Sequence, residues 1–440
     1  MTYKPAWDST PAGAAAGQVT VYQDGGNSIA LNRAGGVISQ LATTAVNNVT
    51  VIQAAIDHLA GTYTPGNLTT LGHGGAGAVM LSDQLWETSA TIILKYGVSL
   101  VGMGTAFDRN GFVASAHSFQ GCVIAPTSAL ASMDINEGAG VTTKTPVILC
   151  GYSTGGSGTQ STTNPHGVLI QNISIDCRRK TTAQGLVIGD TQYVYVQNVN
   201  IANARGAGGR GIDIVSTNSP DNGAHGNYVS QCFIANCERG LDANGSGSTD
   251  SILTECRILQ CTVNSIAVGE GGGGGGWQIA NCHFTTASSD QNGGGTQGHI
   301  LFSGGPGMIS NNYFDTTGGY AIYGDTALLM VTSNYIKCSS ALVAPIYLSG
   351  NARRATVTGN TMQATTATKG LVQVSATTGD TYRPIVTGNQ IGDGGAAALV
   401  AAVVDGSGNA VAESNAAATV ARDGTTNPYI YGNRFVVSAV

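Results

Sequence analysis

A short motif recurs along most of this chain. It reads apolar, two variable positions, Asn or Cys, one variable position, apolar. It first appears in Leu169-Ile170-Gln171-Asn172-Ile173 and Tyr195-Val196-Gln197-Asn198-Val199. It returns around Cys232, Cys256, Cys282, Asn312, Asn334, Asn360, Asn389 and Asn433. Successive Asn/Cys positions lie 22 to 34 residues apart, with 44 before the last. That period suits a solenoid coil of three short strands and three turns, and longer intervals mark loops inserted into a coil. A second strand falls between motifs, as in Gly211-Ile212-Asp213-Ile214, Gly240-Leu241-Asp242-Ala243 and Pro345-Ile346-Tyr347-Leu348. Its residues alternate with period two, so one face is buried and the other faces water.

The pattern predicts an all-β chain, a single-stranded right-handed parallel β-helix wound around one long core. Stacked coils place equivalent residues about 4.8 Å apart. Asn side chains at that spacing hydrogen-bond along the stack, and Asn also tolerates a left-handed bend. Ten matches in register therefore predict a single Asn/Cys column. Cys232, Cys256 and Cys282 read as filler of the same small slot.

Composition agrees with the solenoid. Only 10% of residues are charged and 64 are Gly, which suits strands and turns better than helices with charged outer faces. The net charge of −6 with no basic run argues against nucleic acid as a partner. The longest apolar window, near 396–404, is far too short to span a bilayer. The first residues show no apolar core of a secretory signal. The nine cysteines lack the paired spacing of zinc sites or disulfide scaffolds.

The N-terminal part differs. Residues 1–45 read as an adaptor segment and 46–440 as the β-helix. Ile52, Ala55, Ile56 and Leu59 have helical spacing, which predicts a short amphipathic helix capping the open end of the solenoid. Strand-like Gly77-Ala78-Val79-Met80-Leu81 and Val98-Ser99-Leu100-Val101-Gly102-Met103-Gly104 follow.

Gln53-Ala54-Ala55-Ile56-Asp57 and Val98 to Gly104 resemble the opening of the pectate-lyase-like β-helix family, found in many bacteriophage tailspikes and minor tail proteins. The local motifs cover about 50–125, and the repeat character extends the resemblance to about 50–440. The family's acidic lead-in before the helix is replaced here by Asn47-Asn48-Val49-Thr50. The resemblance implies a virion protein, a homotrimer, attachment to other tail proteins through the N-terminus, and binding of a cell-surface glycan. The same family includes polysaccharide lyases and glycoside hydrolases, so a depolymerase is a second expectation. A bacterial surface adhesin is a third.

Two coils carry a duplicated acidic motif, Arg210-Gly211-Ile212-Asp213 and Arg239-Gly240-Leu241-Asp242, 29 residues apart. If Ile212 and Leu241 face inward, Asp213 and Asp242 face outward in adjacent coils. Two carboxylates about 5 Å apart would suit a retaining glycosidase. With Arg210 and Arg239 they would suit a lyase, with Ca²⁺ on the carboxylates and an Arg as base. Otherwise no cofactor and no resident metal is expected. The same residues equally suit ion pairs repeated by coil geometry. Glu238, Glu255 and Glu270 lie close enough in sequence to join, and nothing in the sequence ranks them. Tyr313 and Tyr335 share a position in neighbouring coils, as do Tyr323 and Tyr347. They suit sugar binding, a subunit interface, or plain strand surface.

Overall fold

A computed structural model describes residues 17–61, most of 77–393, and the backbone of short strands at 403–404, 429–431 and 434–436. The chain divides into two compact units, Met1–Phe233 and Ile234–Val440. Each is wound as a right-handed parallel β-helix in which every coil adds one short strand to each of three sheets.

In the first unit, the first sheet runs in parallel from Gly77–Leu81 through Val98–Gly102, Leu169–Gln171 and Tyr195–Gln197 to Tyr228–Ser230. The third sheet runs from Ile92–Leu94 through Val141–Gly151 and Ala183–Gly189 to Arg210–Val215. The second unit repeats the plan. There Leu253, Ile279, Ile309, Val331, Val357 and Val386 stack in strict register and are all fully buried. Each such side chain contributes about 1.5–3 kcal/mol by leaving water.

Residues expected to act as an adaptor form, over Gln18–Ala42, an antiparallel three-strand meander. Its strand Gln18–Asp24 pairs in parallel with Gly77–Leu81 and continues the first sheet. Residues 1–16 lie outside the described residues. The expected helix spans Ala45–Gly61 and buries Val51, Ile52, Ala55, Ile56 and Leu59. Thr44 starts it, its hydroxyl accepting from the Asn47 N–H at 3.2 Å, as an N-cap does.

The Asn/Cys column needs a correction. Asn172 and Asn198 do not belong to the column that holds the other matches. They occupy a left-handed bend, together with Gln231 in the first unit. In the second unit, Glu255, Asn281, Asn311, Ser333, Gly359 and Gly388 hold that bend, with φ of 55–65°. The next residue turns inward. In the first unit it is Ile173, Val199 or Cys232, and in the second Cys256, Cys282, Asn312, Asn334, Asn360 or Asn389, all buried. Two adjacent columns thus divide what looked like one, the outer set by backbone conformation and the inner by hydrogen bonding. Asn433 lies outside the described residues.

The inner column is a ladder. The Asn312, Asn334 and Asn360 amides each donate from Nδ2 to the next Asn Oδ1, at 3.0, 2.9 and 2.9 Å. Each also donates to a carbonyl of the preceding coil, those of Ile279, Ile309 and Val331. Every Oδ1 in the ladder further accepts a backbone N–H, as Asn334 does from Asn312 at 3.0 Å. The Cys282 N–H enters the same ladder through Asn312 Oδ1 at 2.9 Å. Among the described residues, eight cysteines are buried and unbridged. Burial pushes the Cys122 and Cys150 thiols up, which keeps them protonated and inert.

Candidate functional site

The two Arg-Gly-apolar-Asp motifs lie in different units, and each carboxylate has its own surroundings. Ile212 and Ile214 pair with the buried Leu186 and Ile188, which leaves Asp213 on the outer side of its strand. It is nevertheless fully buried. The strand Val141–Gly151 first pairs antiparallel with Met133–Asn136. Lys144, at the end of that pairing, reaches Asp213 Oδ2 at 2.8 Å. Beside it, Met133 packs on Leu149, Val187 and Val215. Arg210 donates to the Gly209 carbonyl at 3.2 Å.

In the second unit, Arg239 Nη1 binds both oxygens of Asp242, at 3.2 and 3.0 Å. Asp242 is 1% exposed. The same nitrogen also pairs with Glu270, a carboxylate that sequence spacing could not rank. The duplicated motif therefore makes two different ion pairs, one with a distant lysine and one internal. Asp213 and Asp242, the ligands a lyase reading would give Ca²⁺, each face a protein cation and do not fit a bound Ca²⁺. Among the described residues, no group of three or more His, Cys, Asp or Glu is placed to hold a metal.

The tyrosines do come together. Tyr323 and Tyr347 stack at 4.9 Å between centroids with 19° between planes. Tyr320 closes on both, at 6.1 and 5.1 Å. Burial and the neighbouring Tyr347 hydroxyl push the Tyr320 and Tyr323 phenols up, with Asp325 adding to the effect on Tyr323. Asp325 follows just past the end of the strand Tyr320–Gly324, close enough for its charge to act on the Tyr323 phenol. Its Oδ1 accepts from the Ser349 hydroxyl and from Asn351 Nδ2, the latter at 3.0 Å. Sequence reasoning missed Asp325. Its signal was a carboxylate two residues after a paired tyrosine.

Register places Asp242, Ala267, Leu301, Tyr323 and Tyr347 in one outer row of the third sheet. Two groups nominated independently from the sequence thus share a row, three coils apart, or about 14 Å. The row is closed at its Asp242 end, where Ala267 and Leu301 are also buried, and partly open at the tyrosines.

Tyr313 and Tyr335 form a second stack on the second sheet, 5.2 Å apart and 9° from parallel. The Tyr335 hydroxyl donates to Gln363 Oε1 at 2.5 Å. In both stacks the rings cover each other's faces.

No protein-family model matches the chain, and no curated protein matches it. Solved structures of similar fold include the DFA-IIIase of Arthrobacter chlorophenolicus A6, with TM-score 0.56, 14% identity, and coverage of 90% of this chain and 92% of that one. The same enzyme in complex with DFA-III gives 0.55, 13%, 80% and 82%. Without its lid and in complex with GF2 it gives 0.57, 12%, 89% and 95%. At such identity the likeness establishes the parallel β-helix fold. Among the described residues no helix is long and apolar enough to cross a membrane.

Proposed function

We propose that this chain is a glycan-binding β-helix of the phage tailspike or minor tail type, carried on the virion. The observation that carries the reading is the Tyr320, Tyr323, Tyr347 and Asp325 group. Two donors hold Asp325 Oδ1, which leaves Oδ2 to accept sugar hydroxyls. The phenols beside it supply further donors and apolar edges. Binding is favoured over cleavage by the state of Asp213 and Asp242, since a buried carboxylate held by a protein cation is closed off from a substrate. The resemblance of the Gln53 helix and the Val98 strand to tailspike openings supports the phage setting.

The proposal includes a homotrimer joined to other tail proteins through its N-terminal segment. Leu328 and Met330 support association, being 49% and 46% exposed. Leu328 also holds φ of 61°, a costly conformation for a bulky residue. Sedimentation should give the mass of three chains, and Met330→Lys should lower it.

A bacterial capsular polysaccharide array tests the function. The wild type should bind one or a few polysaccharides, and Tyr323→Ala with Tyr347→Ala should weaken that at least tenfold, as should Asp325→Asn. Release of reducing or ultraviolet-absorbing ends from the bound polysaccharide would instead favour a depolymerase. Unchanged binding by both the double tyrosine variant and Asp325→Asn would remove this site from consideration.

A further inference from the structure

We infer that Arg257, His283 and Tyr313 form a subsite for a carboxylate-bearing sugar on the outer face of the second sheet in the second unit. This rests on the glycan reading above and narrows it to acidic saccharides. Arg257 pairs with His283 and His283 with Tyr313 in parallel register, so the three side chains stand one coil apart, about 4.8 Å each.

Arg257 is exposed, and its side chain makes no ion pair or hydrogen bond among the described residues. Its planar fork of N–H donors matches a carboxylate. The carboxylate that could compete, Asp315, is held by Lys337 at 3.2 Å. His283 Nε2 lies 3.0 Å from the Thr285 hydroxyl. When Thr285 donates, the tautomer leaves Nδ1–H as a second donor beside the guanidinium. The Tyr313 ring packs edge to face with His283 at 4.9 Å and 77° and is 38% exposed. It adds an apolar edge and a hydroxyl next to the guanidinium and the imidazole, which burial and Arg257 keep neutral by lowering its pKa. A bare anion would use only Arg257 and His283, whereas a uronic acid would use all three, its carboxylate on the guanidinium and the imidazole N–H and its ring against the phenol.

The test is a titration of the full-length chain, isotope-labelled on histidine, with sodium glucuronate, glucose and sodium acetate, followed by imidazole resonances. A His283→Gln variant assigns the signal. Glucuronate taken to about 50 mM passes well beyond the millimolar range in which a weak monosaccharide contact saturates. We expect glucuronate to shift the His283 signal saturably, at least tenfold more tightly than acetate, and glucose to leave it unmoved. Arg257→Gln should abolish the response, and Tyr313→Ala should reduce the preference over acetate. No shift with glucuronate, equal response to acetate, or a response untouched by Arg257→Gln would each overturn the inference. The tyrosine site is read separately, by Tyr323→Ala on polysaccharide binding, so failure of one is not mistaken for failure of the other.

Discussion

Gln53 offers its side-chain amide to the Ile93 peptide as a neighbouring strand would. Gln53 Nε2 donates to the Ile93 carbonyl at 3.1 Å, and the Ile93 N–H donates to Gln53 Oε1 at 3.1 Å. Ile92–Leu94 is the terminal strand of its sheet, and a bare edge invites unwanted pairing. Four residues on, Asp57 accepts from Gln53 at 3.0 Å and pairs with Lys95 at 2.7 Å. The Gln-Ala-Ala-Ile-Asp motif thus has a physical role: its apolar residues cover the core and its polar ends occupy the strand edge. Gln53→Leu should keep the apolar cover but leave both Ile93 groups unpaired. We expect a loss of about 1–3 kcal/mol, measured by urea unfolding. An unchanged midpoint would mean that water replaces the amide at no cost.

The coil repeat and the capping helix were legible because they depend on local periodicity. The two-column arrangement was not, because Asn serves both columns for different reasons. At Asn172 and Asn198 it tolerates a left-handed φ, and at Asn312 to Asn389 it satisfies buried amides. Only the neighbouring positions, Ile173 and Val199 against Cys232, reveal the one-residue shift. The partners of the acidic motif were illegible for another reason. Lys144 lies 69 residues before Asp213 in the sequence, and only the coil geometry brings them together.

Asn334 accepts two hydrogen bonds from Asn312 and donates to Ile309 and Asn360. Asn334→Leu strands the Asn312 N–H and amide in a fully buried stack and places a branched side chain in the slot. The expected cost is about 1–3 kcal/mol for each unsatisfied group. Asn334→Cys, which the same column tolerates at Cys282, should cost less. Equal loss in the two variants, read by thermal unfolding, would mean that fit to the slot matters more than the amide.

His299 predicts an acid-sensitive stability. It is fully buried, against Phe284 and Phe314 at 5.8 and 5.9 Å, with Ser265 Oγ 2.9 Å from Nδ1. Burial, with a smaller effect from His283, brings its pKa down to about 3. The unfolded chain takes up this proton below about pH 6.5, and the folded chain does not until near pH 3, so stability falls as pH drops through that window. Between pH 7.5 and 5 the loss from this group should be about 2 kcal/mol. His299→Phe lacks the group, so the stability difference from wild type should move in the variant's favour by that amount. A difference that stays constant with pH would show that His299 titrates normally.

The buried ion pairs separate binding from catalysis. Removing one partner of such a pair leaves a charge in a dry site, at a cost of about 3–5 kcal/mol. Lys144→Met should therefore destabilise strongly through Asp213, and Asp213→Asn with Lys144→Met should recover much of the loss, since the double change removes both charges. Arg239→Met and Asp242→Asn should behave in the same way in the second unit, moderated by Glu270, which shares the Arg239 nitrogen. A catalytic role makes the opposite demand: the Asn variants would keep the fold and lose only turnover. The comparison is made well below each variant's unfolding temperature, with polysaccharide affinity and end-group release measured on the same samples. We expect the Asn variants to unfold earlier yet bind glycan as the wild type does, with no end groups released by any of them. Release by the wild type that disappears in Asp213→Asn or Asp242→Asn, at unchanged affinity, would reverse this assignment and make the covered carboxylates catalytic.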